Sequence, residues 1–361
     1  MKLQRVMSAE ERRQFYRMPS RVYQGNIAHR ATEESLTRML VDGPTVFHTH
    51  ARVAPYLLLD GDDVVGRCAL IHDTKLPDCV QVAFFEAMPG LSGVVDCLTL
   101  EARVFEPTAQ RLVVGMNGHL NYGAGLLLSH FATPPIFGLP YTPAYYADYF
   151  ATLTLRGMVS YRFSMPEFEQ WETQQPHGEI DGITVRTMDM RRLRQEVEQY
   201  TYIDNNSFDD TPYWSHRLPQ ENYELFHPFR FLLSGENLLF AERDNKPLGF
   251  LLWYPDFNEL VGAGRDFTMW DVLRFRCADP IKTFRFAEIA LLPQARHSRA
   301  VYAMMLKLIA ITRRRGYTHG EGGFILEDNV PSLTMTRKYL ERAFGEKPAP
   351  YRRFGIFEGG L

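Results

Sequence analysis

The hydrophobic pattern changes period several times along the chain, and each change marks an element. Ser8 with Glu11 three residues later is a capping pair that predicts a helix to about Tyr16, and residues 32–40 read as a second helix. Alternation sets in at Ala51. Residues 53–59, a turn at Asp60-Gly61-Asp62-Asp63 and residues 64–72 predict a β-hairpin, with residues 80–85 as a third strand. Pro89-Gly90-Leu91-Ser92-Gly93 breaks that pattern; residues 94–105 then show helical spacing and residues 111–114 return to strand. The glycine-rich stretch 116–140 predicts a long loop, residues 143–156 a helix with Pro143 in its first turn, and residues 158–163 a strand.

The polar stretch 164–182, with Pro166, Pro176 and Gly178, predicts a linker. The same order of elements then repeats. Residues 183–185 begin a strand, 191–202 a helix, and 238–253 a hairpin turning at Asp244-Asn245-Lys246-Pro247. A strand carrying Glu288 follows, then a turn opened by Pro293, a helix over residues 300–315, a strand at 323–326, a helix beyond Ser332 and a last strand at 352–357. Identity between the halves is negligible, so the repetition is topological. It predicts two copies of one α/β module, residues 1–165 and 183–361, joined by a linker over 166–182.

Composition narrows the partners. With 361 residues, 45% hydrophobic and 23% charged, the chain has enough apolar material for two cores. Forty basic and 43 acidic residues give a net charge of -3, so the overall balance recruits neither nucleic acid nor an anionic membrane. Arg313-Arg314-Arg315 sits where a helix C-terminus is predicted, where cations complement the dipole. The four cysteines show no C-x-x-C spacing and no histidines paired with them at metal-ligand distance, which points away from a metal site and towards a reduced, cytoplasmic compartment. Neither a signal-peptide apolar region nor a run of about 18 apolar residues is present.

The densest candidate chemistry lies between Phe284 and Asn329. A strand that feeds a helix through a tight polar turn brings backbone N–H groups and the positive end of a helix dipole to one point, which suits an anion. In the first half, Asn117, His119 and Asn121 crowd a loop whose glycines let backbone approach a ligand.

Several segments carry a family likeness. In the first half these are Ser20-Arg21-Val22-Tyr23-Gln24-Gly25-Asn26, Val65-Gly66-Arg67, Phe84-Phe85-Glu86, Asn117 to Leu127, Pro134-Pro135 and Pro143-Ala144-Tyr145-Tyr146. In the second they are Pro293 to Arg296, Glu327-Asp328-Asn329 and Arg352-Arg353-Phe354-Gly355-Ile356-Phe357-Glu358. On these the second half resembles the GNAT superfamily of acyl-CoA N-acyltransferases, and the whole chain is similar to bacterial tandem-GNAT proteins. The resemblance implies an α/β fold of two GNAT-like modules, each a mixed, mostly antiparallel sheet flanked by helices. It implies transfer of an acyl group, acetyl in the first instance, from acetyl-CoA or another acyl-CoA to a small-molecule or peptide amine, without a metal.

The resemblance also assigns roles. Glu288 takes the place of a general base and Glu86 is its twin in the first half, grouped with Asn117, His119 and Asn121 on the acceptor side. Leu291, Gln294, Arg296, His297, Ser298, Arg299 and Asn329 fall where the family holds the CoA pyrophosphate. Two departures stand out: His297 and Arg299 fill both glycine positions of the phosphate turn, and Tyr339 lies ten residues beyond Asn329 where the family's acidic tyrosine lies seven. The aromatic residues Phe208, Tyr213, Trp214, Tyr223, Phe226, Phe229 and Phe231 map to the region that covers the acceptor. The departures leave a second reading, a catalytically degenerate GNAT-fold binding or scaffold protein. A third, an aminoacyl-tRNA-dependent transferase, needs a basic groove that the charge balance does not advertise.

Overall fold

The computed structural model describes residues 1–175, 180–278 and 280–361. It divides into two compact units, one of residues 1–158, 261–266 and 352–361, the other of residues 159–260 and 267–351. Each is a mixed, mostly antiparallel sheet with helices packed on it.

Unit one contains β1 (Lys2–Arg5), α1 (Ala9–Val22), α2 (Glu34–Asp42), β2 (Ala51–Asp60), β3 (Asp63–Asp73), β4 (Cys79–Ala87), α3 (Val94–Phe105), β5 (Arg111–Val114), β6 (Leu126–Leu127), α4 (Tyr146–Tyr149) and the start of β7 (Thr154–Ser164). The strands β1 to β4 pair antiparallel in sequence order, and β4 pairs parallel with β5. Ser8 begins α1 as its spacing predicts: its Oγ accepts from the Glu11 N–H, and Glu11 Oε2 accepts from the Ser8 N–H. The helix runs past Tyr16 to Val22, with Pro19 in its last turn. The core is apolar and closed, with Leu70, Val80, Val82, Leu98, Leu112, Tyr146 and Phe150 all fully buried. Each such side chain contributes about 1.5–3 kcal/mol by leaving water.

Unit two contains the rest of β7, α5 (Met165–Thr173), β8 (Ile183–Thr187), α6 (Leu193–Ser207), α7 (Pro219–Phe229), β9 (Leu238–Arg243), β10 (Lys246–Pro255), α8 (Met269–Ala278), β11 (Thr283–Leu291), α9 (Ala300–Arg315), β12 (His319–Leu326) and α10 (Val330–Phe344). Strands β8 to β11 pair antiparallel and β11 pairs parallel with β12. Asp244 and Asn245, both at positive φ, make the tight turn between β9 and β10 that their identity predicts. Gly316 ends α9 in the left-handed conformation, and Arg314 and Arg315 pair there with Glu236. Trp253, fully buried, packs edge-on against Phe284 and Tyr317 and donates its indole N–H to Glu236 O at 2.6 Å.

Three expectations change. Residues 165–173 form the helix α5, with Phe168 and Trp171 buried, where a linker is expected; Pro176 and Gly178 of that stretch lie outside the described residues. The helix expected over residues 143–156 is a single turn, α4, and β7 already begins at Thr154. The last strand, β13 (Arg353–Gly360), is expected to close the second module but pairs antiparallel with β5 and β6 of unit one. Glu358 fixes it there through ion pairs with Arg111 at 2.9 Å and Arg156 at 3.0 Å. Among the described residues no helix is long and apolar enough to cross a membrane.

Candidate functional site

In unit one the site grows out of an interruption in β4. Its parallel pairing with β5 ends at Val82 opposite Val114. Phe84 then adopts φ 51°, which a bulky L-residue rarely does, and its N–H turns to Asn117 Oδ1 at 3.0 Å. Against β3 the register slips by one residue between the pairs Ala69–Ala83 and Arg67–Glu86. A bulge of this kind changes the direction of the side chains that follow. Glu86 is the charged one among them.

Beyond the bulge β4 keeps β3 but has lost β5, so its backbone polar groups on that side need other partners. Three tyrosines on and beside α4 supply them. Tyr146 OH accepts from the Ala87 N–H at 2.8 Å, Tyr145 OH donates to Ala87 O at 2.8 Å, and Tyr149 OH donates to Met88 O. This explains why residues 143–156 form one turn and not a long helix: the aromatic residues that look like a helix face are used across the chain, on β4.

Glu86 is only partly exposed and accepts hydrogen bonds from Tyr146 at 2.8 Å and Tyr23 at 3.1 Å. Burial pushes its carboxyl up to about 7; the Arg67 charge and the two tyrosine hydroxyls hold it from rising further. Arg67, buried on β3, makes a two-pronged pair with Glu34 at 2.9 and 3.0 Å, lies over the Phe15 ring and donates to Phe15 O. His29 stacks flat on Tyr23 with ring centroids 3.7 Å apart, and its Nδ1 has no hydrogen-bond partner. Burial first, then the Arg30 and Arg67 charges, push it down to about 4, so it is neutral at pH 7. The segment 261–266 closes beside it: Gly264 N–H donates to His29 O and Ala31 N–H to Arg265 O.

A turn rich in glycine follows Glu86. Gly90 and Gly93 both have positive φ, a Cβ built at either meets nothing within 4 Å, and no side chain caps the start of α3. The Leu91 N–H between them donates to Tyr149 OH at 3.3 Å, while the start of α3 at Gly93 is open to an approach from solvent.

Unit two repeats the geometry and closes it. The β10–β11 register slips by one residue between Leu252–Glu288 and Trp253–Phe286, and the parallel pairing with β12 ends at Phe286 opposite Gly322. Tyr200 of α6 donates to Glu288 Oε2 at 2.6 Å, as Tyr23 does to Glu86. Glu288 is raised by burial, and a hydrogen bond with Asp204 counts among the influences on it. The turn ahead of α9 is bonded to itself. The N–H groups of Ala295, Arg296 and Ser298 donate to Leu292, Pro293 and Ala295 carbonyls, and Ser298 Oγ accepts from the Ala300 N–H.

The other sequence-predicted residues fall as follows. Leu291 ends β11 opposite Gly249. Gln294 and His297 are exposed, Arg296 is exposed and reaches Ser207 O at 3.3 Å, and Arg299 lies over the Tyr302 ring. Asn329 caps α10 by accepting from the Ser332 N–H at 3.1 Å. Tyr339 packs edge-on against Trp171. Gln81 clamps the glycine loop through both the N–H and the carbonyl of Gly118. His119, 1% exposed, accepts from the Asn121 N–H and so serves the loop's own turn. Residue by residue, Tyr23, Arg67 and Tyr146 are what the sequence reading misses. They lie in segments that carry the family likeness, yet the likeness assigns them no chemistry.

No protein-family model matches the chain. It is 24% identical over 257 residues to Protein YghO of Escherichia coli K12, a match covering 66% of this chain and 63% of that protein. It is 24% identical over 230 residues to the Bacterial ceramide synthase of Caulobacter vibrioides, covering 60% and 59%. The match thus spans less than two thirds of either relative. Among solved structures, a tandem GNAT protein from the clavulanic acid biosynthesis pathway superposes with a TM-score of 0.56 at 12% identity, covering 99% of this chain and 98% of that one. The GCN5-related glucosamine N-acetyltransferase region of a fungal multi-domain GH3 β-N-acetylglucosaminidase also gives 0.56, at 10% identity, covering 99% and 38%. These likenesses show the fold.

Proposed function

We propose that this chain, a protein of the tandem GNAT fold, is an acyl-CoA-dependent N-acyltransferase whose reaction runs in unit one. The observation that carries the reading is Glu86: a partly exposed carboxyl set on a bulge, brought to about 7 and held by two tyrosine hydroxyls. A base with a pKa near the working pH is suited to taking a proton from an ammonium before it attacks, or from the amine as it attacks. The nitrogen attacks the thioester carbonyl, the C–S bond breaks, and the amine proton passes to Glu86. Glu86 returns that proton to the departing thiolate, and the Tyr146 hydroxyl, held protonated by burial, keeps donating to Glu86 throughout. The uncapped start of α3 at Gly93 suits a pyrophosphate. The closed turn of unit two does not.

The acceptor in this reading is an amine, and one relative narrows it. The Caulobacter protein is named a ceramide synthase, and a ceramide is the amide of a long-chain amino alcohol. A long-chain amine is therefore the first acceptor to test here. The tyrosine hydroxyls already bonded to Ala87 and Met88 favour a second reading, a binding module without turnover.

Calorimetric titration with acetyl-CoA and a long-chain acyl-CoA tests the proposal. Saturable binding is expected. Gly93→Asp sets a carboxylate in a conformation aspartate tolerates and is expected to weaken binding by roughly tenfold or more through repulsion, while Arg296→Ala leaves it unchanged. Silence at millimolar ligand, or loss on Arg296→Ala alone, overturns the assignment to unit one. Saturable binding with no transfer to any amine selects the second reading.

A further inference from the structure

We infer that helix α8 of unit two is a docking surface for an anionic lipid bilayer. The inference stands on the exposed side chains of this helix and not on the acyltransfer reading, though a lipid-like acceptor would give the surface its use. Met269 is 70% exposed, Trp270 79% and Leu273 49%, and Cys277 is exposed with them. At about 100° per residue these four positions fall within one stripe roughly 100° wide. Arg274 and Arg276 flank the stripe on either side, within about 40° of its edges. The opposite face holds the helix to the unit: Phe275 is buried against Phe257, and Asp271 turns inward to accept from the Thr268 N–H and hydroxyl.

The patch extends past the helix. Arg276 Nε donates to Phe231 O at 2.6 Å, which brings Phe231, 53% exposed, beside α8, and Arg230 lies over the Phe231 ring. Three guanidinium groups thus surround four large apolar side chains, while the acidic residue on the exposed helix, Asp271, faces away. This is the arrangement of a helix lying in a membrane interface, apolar stripe into the acyl boundary and arginines at the phosphates, with tryptophan at the depth it favours. The overall charge of -3 hides it because the basic groups are local. A bilayer is preferred over a second copy of the chain because an isologous contact would set these arginines against one another.

Co-sedimentation of the full chain with vesicles of equal parts phosphatidylglycerol and phosphatidylcholine tests the inference. Binding is expected to the mixed vesicles and to weaken severalfold on pure phosphatidylcholine or in high salt. Trp270→Ser with Leu273→Ser is expected to lower partitioning by about tenfold or more with a small shift in the unfolding midpoint, since Trp270 is largely and Leu273 about half in water; Arg274→Glu lowers it severalfold. No sedimentation with the mixed vesicles overturns the inference, as does equal binding by the double variant. Concentration-dependent self-association abolished by the double variant, without vesicle binding, assigns the patch to a second copy. Acyl transfer to a soluble short-chain amine is read in parallel: the double variant keeps it, so vesicle binding can fail while the acyltransfer reading stands, and the reverse.

Discussion

Glu86→Gln is expected to reduce the acyl-transfer rate by roughly 10²–10⁴-fold, the span usual for a lost general base, with acyl-CoA binding little changed. The amide keeps an oxygen to accept from Tyr23 and Tyr146, so the local geometry has no reason to rearrange. In the wild-type protein kcat/KM is expected to fall with acid below about 7, where the carboxyl gains its proton. The variant loses that limb. Measuring both profiles with one acyl-CoA and one amine decides the point; a variant that retains the rate or the limb removes Glu86 from the reaction.

The same substitution has a signature in stability. The folded state raises Glu86 from the ordinary 4.5 to about 7, so it binds that proton more tightly than the unfolded chain does. The resulting stabilisation is complete below the unfolded value and disappears as pH rises through 7, a loss of up to about 3 kcal/mol. His29 works in the opposite direction. Its depression to about 4 means the folded state prefers it neutral, so stability is complete above 6.5 and falls as pH drops towards 4. Between 4.5 and 6.5 the two slopes oppose each other in the wild-type protein. Glu86→Gln removes one of them, and its unfolding free energy is expected to climb with pH across that window.

How much of this could be read from the chain depends on how far apart the interacting residues lie. The hairpins are legible because their turns are local: Asp244-Asn245 takes positive φ wherever it stands between alternating strands. The cap at Ser8, the cap at Asn329 and the glycine stop at Gly316 are local for the same reason. The bulges at Phe84 and before Glu288 are not, since nothing about Phe84 itself favours φ 51°; Asn117, 33 residues away, holds it there by taking its N–H. The three tyrosines near α4 carry a helix-like spacing because they span one face, and only the splayed end of β4 shows what that face is for. Glu86 and Glu288 are both legible as strand carboxylates. Their difference in surroundings is not, because Asp204, which acts on Glu288, comes from a helix more than eighty residues earlier.

Arg67→Met is expected to destabilise unit one by about 3–5 kcal/mol, the range for removing one partner of a buried ion pair. Arg67 is 3% exposed, and its loss strands Glu34, whose two oxygens both accept from it, and leaves Phe15 O without that donor. Methionine fills much of the volume, so the cost is electrostatic more than steric. Adding Glu34→Gln neutralises the stranded charge and is expected to recover a large part of the loss, which a double-mutant cycle in denaturant measures directly. The functional consequence follows from the same charge. Of the groups that hold Glu86 down, Arg67 has the largest effect, so its removal lets burial raise the carboxyl beyond about 7. The acid limb of kcat/KM is expected to move upward in the double variant, where folding is restored but the guanidinium is not, and by less than the loss of Arg67 alone would give, because the Glu34 charge that raises Glu86 is neutralised with it. A limb that moves in neither Arg67→Met nor the double variant would mean that Arg67 is structural and that the proton in the reaction is not carried by Glu86.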